Sequence, residues 1–576
     1  MPACCSERPS TTRTACRRPG SASTTRTQAG PAAAATPSAE LTVSFTLDGR
    51  KVEVARDGIS LLEALREDLG VRSVKDGCSP QGQCGCCTVV VDGAARVACV
   101  TPVRRVAGRS VLTVDGLPPS GLENLAGAFV EHGASQCGFC TPGILCRLAT
   151  LGPAPAPDKV ETALLAHLCR CTGWRTVVEA ACAAPGPGAA PPLDQPGAAS
   201  TPGDRRATIE GATTQRTGAG VVLGRGGFAD DTAPEGCLVA VPDPDGGWSL
   251  GETLAEARAA SGKVQGRRSG RRLSYPIEVP PGDWDVTLQT TWVEPGYLET
   301  DASWCMPGGE PAHPAGNGGA FGGKVASPAP AASRELADRH GRPVRVVFSR
   351  EDVVRLGPKR PPVAAGVRAG GSGVMRIASA PGVAAVIAAV APGMELREVV
   401  VAGPRVSPAI RAAGWAEACV LLAAGAAVAD GTVPGAGAPA AAIASAVAPG
   451  GGRATARVTV DGQGAPTNVH VRVSCGEVLS PSVLRSYVTG AAHMALGWVC
   501  SEAIAVDEDG VPEDLTIRSF GILRARDTPP ITVDVDGDAR DEPVNGSDAA
   551  FAAVAAATWI AQGLPPRWPT RRGRIA

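Results

Sequence analysis

Aromatic residues make up only 3% of this 576-residue chain, and neither sign of charge is in excess. Lys plus Arg number 55 against 56 for Asp plus Glu, a formal balance of −1. Such a balance leaves no basic stripe for a nucleic-acid backbone and no polybasic run for a membrane surface. Long apolar runs are missing as well. AAVIAAVA at 384–391 falls far short of the roughly 20 residues that span a bilayer. Arg17-Arg18 is followed by PGSASTTRTQ instead of an apolar stretch, so a twin-arginine export signal is not expected. Few aromatics together with 72 Gly and 51 Pro predict long loops and lightly anchored cores. The length exceeds one ordinary core, so several domains are expected.

Cysteine, by contrast, is plentiful. Eleven of the 19 fall between residues 78 and 182, in closely spaced motifs that suit metal ligation better than a disulfide framework, and the chain reads as cytoplasmic. Cys78, Cys84, Cys87 and Cys99 form a C-x5-C-x2-C-x11-C set, one residue longer in its first gap than the plant-type ferredoxin spacing. Cys137, Cys140, Cys169 and Cys171 form a second set, C-x2-C followed by C-x-C. Zinc sites usually pair two C-x2-C knuckles, which neither set does. Four thiolates match a 2Fe–2S cluster, whose two irons each take two protein sulfurs. Glycines 77, 82 and 85 fit the first loop, because a wrapping loop needs positive φ and close backbone approach. Cys86 lies between ligands and reads as a packed or spare thiol.

Residues 1–38, which contain Cys4, Cys5 and Cys16, are Ser/Thr/Arg/Ala/Pro-rich without periodicity and read as a disordered tail. LTVSFTL and KVEV flank an Asp48-Gly49 turn and predict a hairpin. A helix is expected over 59–69, with Asp57 or Ser60 as its cap. A second hairpin around Asp92-Gly93 and a strand at 110–114 complete a small sheet clasping one helix over 39–117. Residues 118–185 predict four helices. Residues 186–205 read as a Pro/Gly/Ala linker, and 206–576 mix short strands with Ala-rich helices.

QCGFCTPG and HLCRCTGW, with the first cysteine loop, resemble the iron–sulfur part of the molybdenum hydroxylases, the family of xanthine dehydrogenase, aldehyde oxidase and CO dehydrogenase. The likeness spans roughly residues 40–185. It implies an α+β multidomain chain: a β-grasp ferredoxin domain, a four-helix cluster domain, then an α/β molybdopterin-binding-like region. It also implies that Gln136 and Cys171 lie against the pterin. NGGAFGGKV at 317–325 contains G-x4-G-K, but Val325 stands where a P-loop needs Ser or Thr. The segment resembles instead the family's glycine loop, which gives Gly319, Ala320, Phe321 and Gly322 to the cofactor. Tyr487 stands where the family commonly has a glutamine in contact with it. RAAGWAEA at 411–418 loosely resembles another family loop near the metal.

Two departures stand out. The family's catalytic base is a glutamate in a G-x-G-E turn. Here Ser547 or Asp548 aligns with it, so Asp548 is the candidate base, one methylene short, and Glu542 a substitute. Ser547 and Asp548 are also natural helix caps. The molybdenum-type region is, moreover, shorter than the family's large subunit, and Glu299 reads as an exposed loop acid. The resemblance implies an oxidoreductase that hydroxylates a small aldehyde or N-heterocycle with water. Electrons would pass through two 2Fe–2S clusters to a separate FAD-binding subunit, since nothing here resembles an FAD or NAD site. The competing expectation is an electron-transfer subunit whose molybdopterin-like region is inactive; an iron–sulfur sensor ranks behind both.

Overall fold

The computed structural model describes residues 42–183, 200–262, 264, 266–435, 437–537 and 541–572. The expected tail, with Cys4, Cys5 and Cys16, and the linker up to residue 199 lie outside the described residues. All described residues belong to one unit, Thr42–Ala576.

Alternating apolar residues build the first sheet. Strands β1 (Val43–Leu47), β2 (Arg50–Val54), β3 (Thr88–Val91), β4 (Ala94–Val97) and β5 (Ser110–Leu112) join in the order β2-β1-β5-β3-β4. Both Asp-Gly turns close hairpins, with Asp48 and Asp92 themselves at positive φ. The helix expected over 59–69 is shorter and wider. Ser60 caps it by accepting from the Glu63 N–H at 3.1 Å, and Ala64–Asp68 continue as a π-turn in which Leu69 N–H reaches Ala64 O.

Four helices follow as expected: α2 (Pro119–Glu131), α3 (Thr141–Leu148), α4 (Pro157–Ala163) and α5 (Arg175–Cys182), after α1 (Leu61–Glu63). Proline in the first turn starts three of them, where its missing N–H costs nothing. The end of the expected linker is helical. Thr201 and Asp204 form a reciprocal capping box that starts α6 (Pro202–Gly211), and Pro202 fits its first turn, so the boundary at 205 falls inside an element.

Three mixed four-stranded sheets make up the rest. Strands β6 (Leu238–Pro242), β7 (Trp248–Gly251), β9 (Ala302–Cys305) and β10 (Val344–Val347) run in the order β7-β6-β10-β9. Strands β8 (Val286–Gln289), β11 (Val363–Val367), β12 (Gly373–Ala378) and β13 (Met394–Val399) are ordered β13-β12-β11-β8. The last sheet, β14 (Ala440–Val447), β15 (Arg453–Val460), β16 (Pro466–Ser474) and β17 (Ile531–Asp536), alternates buried and exposed residues. Its buried face packs on the Ala-rich helix Ser547–Ala561, which lies against helix Pro481–Cys500. The scarce aromatics gather here: Trp498 stacks on Phe551 at 5.2 Å and meets Trp568 edge-on at 4.7 Å.

Candidate functional site

Cys78, Cys84 and Cys87 sit in the loop before β3, and Cys99 in the 3-10 turn after β4; all four are buried. Backbone N–H groups point at the sulfurs, Gln81 N to Cys78 Sγ at 3.2 Å and Cys99 N to Cys87 Sγ at 3.4 Å. Thiol donors from Cys84 and Cys99 pull Cys78 well below the usual thiol range, while the same contacts push Cys84 and Cys99 far above it. Sulfurs this close ionise together only around cations. Among the described residues no three metal-binding side chains converge on a single ion. Four buried thiols in mutual contact are the ligand number that two irons with two protein sulfurs each require.

The second set repeats the arrangement. Cys137 and Cys171 sulfurs are 3.6 Å apart, and a thiol donor from Cys140 lowers Cys169 to about 6. Thr172 adds its N–H at 3.4 Å and its hydroxyl at 3.2 Å to the Cys169 sulfur. A single hydrogen bond, Leu168 N to Cys84 O at 2.9 Å, joins the residue before Cys169 to a cysteine of the first set. Gly85, at φ +74°, lets the His167 ring approach where a Cβ would be 2.5 Å from it.

Cofactor-side candidates converge on the second set. Gln136 Nε2 donates to Cys171 O at 2.9 Å and to Ser486 Oγ at 3.0 Å, leaving Gln136 Oε1 buried without a partner. Gly319 lies where a Cβ would stand 2.8 Å from Cys137 Sγ and 3.5 Å from Cys171 Sγ. Ala320 lines the adjoining hollow, and Gly322 at φ +86° presses on Ala409 O. Phe321 meets Tyr487 edge-on at 6.5 Å, and the Tyr487 hydroxyl donates to Gln215 Oε1 at 2.7 Å. Two hollows adjoin the glycine loop. One of about 10 Å³ is lined by Cys137, Cys140, Cys171 and Lys324; another of about 20 Å³ is lined by Phe321, Arg360, Arg411 and Phe551. Each has room for about one water. The orphaned Gln136 Oε1 is an acceptor of the kind a pterin's N–H groups need, while each hollow is too small for the pterin ring itself.

Asp548 stands at the start of helix Ser547–Ala561, where Arg411 Nε donates to Oδ1 at 3.0 Å. The Arg411 guanidinium lies over the Phe321 ring at 4.0 Å, which ties Asp548 to the glycine loop. Burial raises the Asp548 carboxyl above the usual range, against the pull of Arg411. Neither Ser547 nor Asp548 caps the helix: Asn545 Oδ1 takes the Asp548 N–H at 2.9 Å, and the Glu210 carboxylate takes the N–H groups of Gly546 and Ser547. Glu542 has an exposed side chain. Glu299 is buried instead of exposed, paired with Lys324 at 2.8 Å, and burial lifts it to about 7. Gln215, Ser486 and Glu210 complete the site without a sequence signal of their own, apart from the i,i+4 spacing of Arg206 and Glu210, while Arg411 comes from the loosely matched RAAGWAEA segment.

Three family matches run along the chain: "2Fe-2S iron-sulfur cluster binding domain" over residues 45–104, "[2Fe-2S] binding domain" over 113–182, and "Molybdopterin cofactor-binding domain" over 385–529. The nicotine 6-hydroxylase small subunit of Paenarthrobacter nicotinovorans is 42% identical over 154 residues, 26% of this chain and 93% of that protein. The aldehyde oxidoreductase of Megalodesulfovibrio gigas is 40% identical over 144 residues, 24% of this chain but only 16% of that protein. In fold, the chain is similar to a solved aldehyde oxidoreductase from Desulfovibrio gigas, with a TM-score of 0.67 at 16% identity, covering 93% of this chain and 99% of that one. No helix among the described residues is long and apolar enough to cross a membrane. With both iron–sulfur domains and a molybdopterin-binding domain on one polypeptide, the chain belongs to the molybdenum hydroxylase family.

Proposed function

We propose that this chain is the fused iron–sulfur and molybdopterin subunit of a hydroxylase acting on a small aldehyde or N-heterocycle. Water supplies the oxygen, and two electrons and two protons leave for each substrate. The observation that supports this best is the convergence of Gln136, the glycine loop and helix Pro481–Cys500 on Cys137 and Cys171. Relatives are named for nicotine, nicotinate, xanthine and aldehyde, which brackets the substrate class.

Gln136, the backbone of Gly319, Ala320, Phe321 and Gly322, and Tyr487 would hold the pterin. Molybdopterin, when bound, supplies a centre that accepts two electrons from the substrate. Asp548 is the proton acceptor in this reading, its raised affinity for a proton coming from burial. Arg411 positions that carboxylate and braces Phe321. Cys78, Cys84, Cys87 and Cys99 would ligate one cluster, and Cys137, Cys140, Cys169 and Cys171 the other. Cys169, Leu168 and Cys84 provide a short bonded path between them. A separate FAD-carrying subunit is the acceptor beyond the first set.

Metal analysis of protein from its native host tests this. About four irons with about one molybdenum per chain is the expected result. Iron without molybdenum or pterin would favour the second reading, an electron-transfer chain with an inactive C-terminal region, which the narrow hollows support.

A further inference from the structure

The loop bearing Cys78 and Cys84 is gripped from the C-terminal region, and two of the grips are guanidinium groups without a carboxylate. Arg350, fully buried, donates through Nη2 to Gly77 O and to Leu298 O, each at 2.7 Å. Its Nε and Nη1 are buried with no acceptor, its guanidinium lies 5.9 Å from the Tyr297 ring centre, and it makes no ion pair among the described residues. Gly77 lies against the cluster sulfurs: a Cβ there would be 3.1 Å from both Cys84 Sγ and Cys86 Sγ. On the opposite side, Arg518 Nε donates to Gln83 O at 3.0 Å and Nη2 to Leu165 O at 2.9 Å, and it too has no ion-pair partner among the described residues. Lys75, nearby, is already matched by Asp231. Gln81 fixes the loop's register, donating to Glu351 Oε1 and Leu515 O and accepting from Ile517 N–H.

A fully buried charge with no counter-ion is strongly disfavoured unless opposite charge lies close by. Four thiolates around two ferric irons and two sulfides carry net negative charge, and one-electron reduction adds another. We propose that Arg350, assisted by Arg518, is the counter-charge of the first cysteine set and raises the reduction potential of the cluster it holds. Net charge around a cluster and hydrogen bonding are among the levers that set its potential. The inference rests on the ligand assignment given under Proposed function. It makes the first set the favoured resting place of the electron, and it makes the C-terminal region a tuner of a cluster it does not ligate.

The test is a redox titration of the full-length protein, followed by electron paramagnetic resonance, on wild type, Arg350→Gln, Arg350→Lys and Arg518→Gln. The first-set signal is the one that Cys99→Ser removes. In Arg350→Gln its midpoint should fall by at least a tenfold change in electron affinity, about 59 mV for a single electron. Arg350→Lys should restore most of the shift, Arg518→Gln should give a smaller fall, and the second-set signal should stay in place. If Arg350→Gln does not fold, the Lys variant and the exposed Arg518 decide the matter. An unmoved first-set midpoint in iron-loaded variants overturns the inference alone. A wild-type protein with no iron signal that Cys99→Ser removes overturns the ligand assignment, and the inference with it.

Discussion

At the scale of single residues, the proposed reading rests on Asp548 as the link between local chemistry and function. It sits where the family's glutamate is expected, held by Arg411, which in turn lies on Phe321. On the proposed reading, Asp548→Asn should lower turnover by about 10²- to 10⁴-fold, the usual worth of a positioned base. Substrate binding should change little, and steady-state kinetics of the cofactor-loaded protein would show it. Since the carboxyl is raised above its usual range, turnover should fall as acid protonates it, at higher pH than an ordinary aspartate would dictate. His493 offers an independent check on stability. Burial depresses it to about 4, against the opposing pull of Leu523 O, which accepts from its ring Nε2–H at 3.0 Å. The unfolded chain takes up that proton near the ordinary histidine value of about 6.5. Stability is therefore whole above about 6.5 and is lost as pH falls toward 4, by at most about 1.4 kcal/mol per unit. Urea unfolding of His493→Gln should show a shallower acid slope than wild type.

At the scale of elements, close backbone approach holds the site together. Helix Pro481–Cys500 reaches the second cysteine set through Gly490, where a Cβ would stand 1.7 Å from Cys171 O. Gly490→Ala must push the helix away, at a cost of about 1–3 kcal/mol or more. The expected outcome is a lower melting temperature and loss of about half the iron, read by iron analysis. The same scale shows what the sequence could disclose. The cysteine sets, their loops and the four helices are legible because ligand spacing and hydrophobic period are local signals. The start of α6 at Pro202 is obscured by composition, since a Pro/Gly/Ala stretch hides a capping box, and the widened turn at Ala64–Asp68 carries the same apolar spacing as an ordinary helix. Contacts such as Gln215 with Tyr487, Gln136 with Ser486, and Glu210 with Ser547 join residues hundreds of positions apart, and no spacing rule reaches that far. RAAGWAEA, read only loosely, supplies Arg411, one of the most connected residues of the site.

Over the whole molecule, buried ion pairs stitch the ferredoxin part to the region after residue 205. Arg345 of β10 holds Glu67 at 2.9 Å and Asp230 at 2.7 Å, and Arg66 holds Asp230 and Asp231. Breaking such a pair strands the partner's charge, so Arg345→Gln should destabilise the protein by about 3–5 kcal/mol. Because these groups are largely shielded from solvent, added salt should change that loss little, which denaturant melts at low and high ionic strength would check. Continuity of the chain has a kinetic consequence. A relative named as a small subunit matches only 26% of this chain, the part that carries both cysteine sets. Here the Arg345 pairs tie that part to the region after residue 205 within one fold. On the proposed reading, passage of charge between these parts is thus a first-order event, indifferent to dilution, and only the hand-off to an outside acceptor should depend on concentration.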